Sequence, residues 1–202
     1  GFRHFYTTDG PEFVKHQDKI ERNPHISDSS AYHEVLDLLR SKSGSAHPEF
    51  IQLATMQNHT GYENWYDNNQ FQASSTTGQA LSDAEKTHVQ TYAKGVNYTD
   101  SAVKDFLTQL DGIDSPITVV WYGDHLPGIY DNEIKMAKNN IGMHEADYFI
   151  WSNAATKRAG NGTAAPQNQF TSPNYFMAQA ATHMNAKVSP YLAFLTRMHQ
   201  AI

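Results

Sequence analysis

One run of apolar residues constrains the fold of this chain more than any other feature. Residues 117–122 are apolar, aromatic or β-branched throughout, which is typical of a strand buried on both faces. Two further short apolar runs, 49–55 and 147–152, have the length and the flanking polar residues of strands. Strands of this kind are found in sheets that helices cover on both sides. The sequence therefore predicts an α/β fold.

Helical periodicity and capping signals supply the other layer of that fold. The long helix is marked by a capping box of Ser82 and Glu85, and Gly112 ends it. Two Ser-Pro pairs mark the starts of the last two helices. Helices are predicted over four segments: 28–41, 82–112, 173–185 and 190–201. The resulting order is helix, strand, long helix, strand, strand, helix, helix, which predicts a sheet with helices on both faces.

Length and composition limit the classes of function. The 202 residues are 39% hydrophobic, enough for one domain with a substantial core. The formal charge of −6 and the lack of a basic cluster argue against nucleic-acid binding. Without cysteine, thiol catalysis and zinc-thiolate sites are excluded. No apolar run of roughly 18 residues and no signal-like start is present, so we expect no membrane span or export signal within these residues.

Polar side chains follow two of the predicted strands. Asp124 and His125 come directly after residues 117–122, and His59 follows the run 49–55. If these two strands are parallel neighbours, their carboxyl ends meet and both histidines face one crevice. A carboxylate beside an imidazole suits Zn²⁺ or Mn²⁺ better than Ca²⁺. Gly123 would give the chain the freedom to turn both side chains toward one ion.

Other interpretations of these residues remain open on spacing alone. Asp124 could cap a turn while His125 is a hydrogen-bonded loop histidine, because two adjacent residues make a weak motif. His59 could be a surface or packing histidine. The pair His144 and Glu145 fits a structural role, and the helix-borne histidines lack partners at metal-binding spacing.

Several segments together resemble a known family. "VVWYGDHLPG" is similar to the C-terminal metal motif of the lipoteichoic acid synthase and phosphoglycerol transferase group of the sulfatase and alkaline phosphatase superfamily. "LATMQNHTGYE", "YTDSAVKDFLTQL" and "HEADYFIWSN" resemble neighbouring segments of that group in the same order. The resemblance covers most of residues 1–153 and is faint beyond. It implies that residues 1–202 are a single partial domain, the C-terminal half of a sulfatase-like catalytic domain.

The resemblance also implies an activity and a set of site residues. Members use a divalent metal, Mn²⁺ or Zn²⁺, to move phosphoglycerol from a lipid donor to a cell-wall polymer or glycan. Asp124 and His125 would then be metal ligands, and His59 would contact the substrate phosphate. The nucleophilic threonine and a metal-binding glutamate are expected upstream of this chain, with membrane helices that tether an extracellular catalytic domain. No catalytic nucleophile is therefore assigned within these residues.

Two consequences and two alternatives accompany this interpretation. With only two ligands, we expect the chain to bind metal weakly, to have little transferase activity and to self-associate through exposed apolar surface. One alternative is another activity of the superfamily: phosphoethanolamine transfer, phosphodiester hydrolysis or sulfate-ester hydrolysis. The other is a catalytically silent binding module that retains the fold.

Overall fold

A computed structural model describes residues 1–41, 47–75, 78, 80–129, 141–162 and 170–201. The chain divides into two compact units. The first unit comprises Gly1–Phe106 and Pro127–Met143, and the second comprises Leu107–Leu126 and His144–Ile202. The secondary structure is mixed, with helices in the majority and two small two-stranded sheets among the described residues.

The first unit is built around two helices. A parallel pair of two-residue strands, β1 (Tyr6–Thr7) and β2 (Glu12–Phe13), precedes α1 (Asp28–Ser41). The predicted helix 28–41 is confirmed. Ser27 caps its start, because its hydroxyl accepts a hydrogen bond from the backbone N–H of Ser30. The long helix α2 (Asp83–Asp111) begins in this unit and ends in the second.

The core of the first unit consists mainly of aromatic residues. Tyr32 of α1 stacks on Phe106 of α2, with ring centroids 4.6 Å apart. A second cluster lies in the irregular segment between the two helices and consists of Tyr62, Trp65 and Tyr66, all buried. The polar composition around this segment predicts only a loop, and its three aromatic residues are what make it a packed part of the molecule.

The second unit contains an antiparallel strand pair and three short helices. Strand β3 (Thr118–Tyr122) pairs with β4 (Tyr148–Ser152), with Val120 opposite Ile150. Both strands were predicted from the sequence, to within one residue at their starts. The helices are α3 (Ala154–Arg158), α4 (Phe176–His183), which a 3₁₀ turn at Pro173–Tyr175 precedes, and α5 (Pro190–Gln200). Ser189 caps α5 through the backbone N–H of Leu192, as the Ser-Pro signal predicts.

The predicted strand over residues 49–55 is wrong. This segment has no regular secondary structure, and its apolar side chains are exposed, Phe50 to 62% and Leu53 to 39%. A strand needs a neighbour to satisfy its backbone hydrogen bonds, and within the described residues no segment forms a ladder with this one. Residues 49–55 are therefore not a strand in the part of the chain that the structure describes.

None of the helices in the part of the chain that the structure describes is long and apolar enough to cross a lipid bilayer.

Candidate functional site

Asp124 and His125 lie where β3 ends. The backbone N–H of Gly123 donates to the carbonyl of Asp147 at 3.1 Å, so the chain stays paired with the β4 side until the residue before Asp124. Directly after this bond both side chains leave the sheet, and they are 81% and 71% exposed. The strand therefore holds the backbone on one side while the carboxylate and the imidazole remain open to ligands.

The hydrogen bonding of His125 prepares one ring nitrogen for a metal. Its Nδ1 lies 2.8 Å from the carbonyl oxygen of Leu126, which can only accept, so Nδ1 carries the hydrogen. In the neutral ring the lone pair is then on Nε2, the form in which histidine binds metals. This Nε2 lies 3.6 Å from Oδ2 of Asp124. Two ligands on one tetrahedral Zn²⁺ lie about 3.4 Å apart, so the observed spacing fits a shared ion.

Gly123 acts differently from the prediction. Its φ angle lies outside the left-handed region, so the backbone here is one that other residues also adopt. The constraint is steric, because a Cβ at this position would lie 3.1 Å from the Cβ of Ala146. Glycine thus permits close approach of the chain before β4 rather than a special turn.

His59 lies in a segment that buried polar groups hold in place. The side chain of Gln57 donates to the carbonyl of Gly95 at 3.0 Å and to Oγ1 of Thr99 at 3.1 Å. Asn58 donates to the same Thr99 oxygen at 2.7 Å. These bonds attach the segment to α2, while the His59 ring itself is exposed. The structure thus presents His59 to solvent on a fixed backbone.

Sequence reasoning missed the residues that support His59. Asp28 is 1% exposed, its carboxylate accepts from Oγ1 of Thr99 at 2.6 Å, and burial raises its pKa. Its backbone N–H donates to the Gln57 side chain. The pattern Ser-Asp before a helix predicts only a cap at this position. Its further role comes from contacts with residues about 30 to 70 positions away, which no local pattern records.

Another residue missed by sequence reasoning is His25, whose ring lies beside His59. The two ring centroids are 5.4 Å apart in an edge-to-face arrangement. His25 also packs edge-on against buried Trp65 at 5.8 Å. The two histidines are 34 positions apart in sequence, so no motif spacing connects them.

The structure does not group the metal-binding residue types further. Among the residues it describes, no three or more His, Asp and Glu side chains come close enough to hold one ion. Asp124 and His125 together offer at most two ligand atoms, so an ion bound by them would have coordination positions left for water or substrate oxygens. His144 ends a 3₁₀ turn, Ile141–His144, ahead of β4. His59 belongs to the first unit and the Asp124–His125 pair to the second, so their meeting in one crevice stays a prediction.

Comparison with known proteins relates the chain to one family. A family model described as Sulfatase matches residues 1–186. Among solved structures, the chain matches Streptococcus pyogenes phosphoglycerol transferase GacH in complex with sn-glycerol-1-phosphate, at 30% identity and a TM-score of 0.69. That match covers 92% of this chain and 44% of the other.

The chain also matches a curated protein. The chain is 28% identical over 160 residues to a candidate cyclic beta-1,2-glucan modification protein of Rhizobium meliloti (strain 1021). The match covers 72% of this chain and 24% of that protein. The chain therefore spans less than half the length of either relative.

Proposed function

The chain belongs to the sulfatase family and has part of its alkaline-phosphatase-like fold, and from this premise we propose that it is the C-terminal part of a metal-dependent phosphoglycerol transferase. In this proposal Asp124 and His125 bind a Mn²⁺ or Zn²⁺ ion, and His59 contacts the phosphate of the substrate. The nucleophilic threonine is assigned to a segment outside these 202 residues. The chain alone is therefore expected to bind its ligands with little transfer activity.

One observation carries the metal assignment. The Nε2 atom of His125 and Oδ2 of Asp124 are 3.6 Å apart, and the bond from Nδ1 to Leu126 leaves the lone pair on Nε2. A bound divalent ion would supply charge neutralisation at the phosphoryl oxygens and would lower the pKa of a nearby hydroxyl nucleophile. The role of this chain is to hold two ligands of such an ion in a fixed relative position.

The substrate phosphate is assigned to His59. Its ring is exposed, whereas the preceding residues Gln57 and Asn58 are bonded to α2. A histidine on a rigid support loses little conformational freedom when it binds an oxyanion, which favours affinity. A protonated imidazole also forms charge-assisted hydrogen bonds with phosphate oxygens.

The names of the relatives support an assignment of the group donor and the acceptor of the proposed transfer. The structure of GacH was solved with sn-glycerol-1-phosphate, and the name of the Rhizobium meliloti protein refers to modification of a cyclic glucan. We therefore assign a lipid-linked glycerophosphate donor and a glycan or cell-wall polymer acceptor. A membrane-anchored protein whose catalytic domain faces the outside of the cell fits such substrates, and we propose that location for the whole protein.

Calorimetric titration with Mn²⁺ and Zn²⁺ tests the metal assignment. Weak binding is expected in the wild-type chain, and it should be lost in the double variant Asp124→Ala, His125→Ala. A matched control exists in His16 and Asp37, an exposed pair whose Nε2 and Oδ2 atoms lie 3.0 Å apart. Replacing that pair with alanines should leave the heats unchanged. Unchanged binding in the first double variant would remove Asp124 and His125 from the site.

A competition experiment tests the substrate class. We expect sn-glycerol-1-phosphate to bind the metal-loaded chain more tightly than ethanolamine phosphate or inorganic sulfate. Tighter binding of ethanolamine phosphate would favour phosphoethanolamine transfer, and tighter binding of sulfate would favour a sulfatase. If the metal binds but none of the three anions does, the interpretation as a catalytically silent module is the better one.

A further inference from the structure

His25 and His59 form a pair of adjacent imidazoles on the surface of the first unit, and we propose that both rings together bind one phosphate oxyanion of the substrate. This inference rests on the proposed function, because it takes the phosphate of His59 as its ligand. It adds a second residue that the resemblance to the family does not assign. The ligand class is a phosphate monoester or diester, with inorganic phosphate as the simplest probe.

The relative position of the two histidines is set by one buried side chain. Asn23 is 2% exposed, and its Oδ1 accepts from the backbone N–H of His25 at 2.9 Å. Its Nδ2 donates to the carbonyl of Gln57 at 2.9 Å, two residues before His59. A single amide therefore links the backbone beside His25 to the backbone beside His59. Such a link holds the two backbone segments beside each other without a ligand, which lowers the entropy cost of binding one.

Packing restricts the His25 ring further. Its edge-to-face contact with Trp65 places it against the aromatic cluster of the first unit, which also contains Tyr62 and Tyr66. The Nδ2 of Asn23 donates in addition to the hydroxyl of Tyr66 at 2.7 Å. The ring is therefore half-buried on a rigid support, while His59 beside it is exposed. His25 thus packs against protein, whereas His59 is open to solvent.

The charges around His25 favour an anion. Burial lowers the pKa of His25, and the nearby positive groups His59 and Lys19 lower it further. A hydrogen bond to the backbone carbonyl of Thr60 acts in the opposite direction. The described groups that shift this pKa include no carboxylate. A phosphate oxyanion would therefore supply the negative charge that two imidazoles and an ammonium group in one place lack.

A second histidine pair shows the opposite arrangement and serves as a control. The rings of His16 and His33 are 5.8 Å apart, a separation similar to that of His25 and His59. The Nε2 of His16, however, lies 3.0 Å from Oδ2 of Asp37. That carboxylate already neutralises the pair. If ring proximity alone attracted phosphate, both pairs would bind it, whereas our inference predicts binding only at His25 and His59.

NMR titration of the full 202-residue chain with inorganic phosphate tests the inference. In the wild type, the imidazole resonances of His25 and His59 should shift together, and those of His16 and His33 should not move. His25→Ala and His59→Ala should each raise the Kd by about tenfold, as expected for loss of one charge-assisted hydrogen bond. His33→Ala should leave the Kd unchanged.

The outcomes separate this inference from the proposed function. If His59→Ala weakens phosphate binding while His25→Ala and the His25 resonances show no effect, the two-histidine site is wrong and the role of His59 stands. If phosphate shifts neither ring in the wild type, both the pair and the assignment of His59 are wrong. The metal assignment at Asp124 and His125 is measured by a different titration and does not depend on either result.

Discussion

The side chain of Asn153 bonds to several separate segments of the second unit. Its Nδ2 lies 2.9–3.2 Å from the carbonyl oxygens of Leu110, Ile113 and Ser115. Its Oδ1 accepts from the backbone N–H groups of Ile117 and Thr156, both at 3.0 Å. One fully buried side chain therefore connects the end of α2, the residues before β3 and the start of α3.

We expect Asn153→Ala to destabilise the chain by about 3 kcal/mol or more, because several buried carbonyl and N–H groups lose their partner at once. Urea unfolding monitored by circular dichroism measures the change. Asn174→Ala, at an exposed asparagine of the same unit, is the control and should change stability by less than about 0.5 kcal/mol. Equal effects of the two substitutions would contradict the role assigned to Asn153.

The buried carboxyl of Asp28 predicts a pH dependence of stability. Because burial raises its pKa above the ordinary value of 3.8, the folded state holds this proton to higher pH than the unfolded state does. The contribution of Asp28 to stability is thus greatest below 3.8 and falls as the pH rises through the raised value. Compared with the non-titrating variant Asp28→Asn, the wild type should lose stability between about pH 4 and pH 7. Urea midpoints of both proteins at the two pH values measure this, and a difference that grows in favour of the wild type would contradict it.

At the scale of single residues, the sequence identifies those whose role depends on near neighbours. Asp124 and His125 are adjacent and follow an apolar strand, so they can be predicted as a unit and the structure leaves both available as ligands. Asn153 and His25 could not be predicted. The cap that Asn153 provides for Thr156 is a local contact, but its other partners, and the His59 ring beside His25, lie some 34 to 43 positions away, where no local pattern records them.

Among the elements, three helices and the strands β3 and β4 agree with the predictions, the short strands β1 and β2 and helix α3 were not predicted, and the predicted strand over residues 49–55 does not form. The bounds of α1, α2 and α5 agree with the predictions to within one residue, because caps such as Ser27 and Ser189 act on backbone groups two or three positions away. Strands β3 and β4 form because their backbones pair with each other. Residues 49–55 have the same apolar character but no partner strand within the described residues. Sheet layers with helices on both faces stay a prediction.

Gly95 connects the helix α2 to the segment that carries His59. A Cβ at this position would overlap Oδ1 of Asn58, whose Nδ2 is bonded to Thr99. In a helix interior, Gly→Ala alone stabilises by about 0.5–1 kcal/mol, so a loss of stability would already indicate a clash. We expect Gly95→Ala to displace Asn58 and to shift the imidazole resonances of neighbouring His59, with those of His183 unchanged. An unchanged His59 spectrum together with higher stability would contradict this packing.

For the molecule as a whole, the exposed apolar residues of 50–56 predict self-association. The side chains of Phe50, Ile51, Leu53 and Met56 are all exposed, so this strip of the chain leaves four apolar side chains in contact with water. The sedimentation coefficient of the chain should therefore rise with protein concentration. The double variant Phe50→Ser, Leu53→Ser should reduce the rise, whereas Phe170→Ser, at a residue 85% exposed outside the strip, should not. Equal sedimentation of all three proteins would exclude the strip as the cause.

The proposed function depends most on where a divalent ion binds. Three features support Asp124 and His125 as the ligands. They follow an apolar strand, their side chains are exposed, and the hydrogen bond of His125 Nδ1 leaves its Nε2 available. Family membership and similarity to a phosphoglycerol transferase support the chemistry that such an ion would serve. The remaining assignments, including the phosphate at His59, depend on this position less directly.

The most direct test is an anomalous diffraction map of crystals of this chain grown with Mn²⁺. A manganese peak is expected roughly 2.0–2.3 Å from both Oδ2 of Asp124 and Nε2 of His125. Crystals of the double variant Asp124→Ala, His125→Ala should lack that peak. A manganese peak at His16 and Asp37, with none at Asp124 and His125, would contradict the claim.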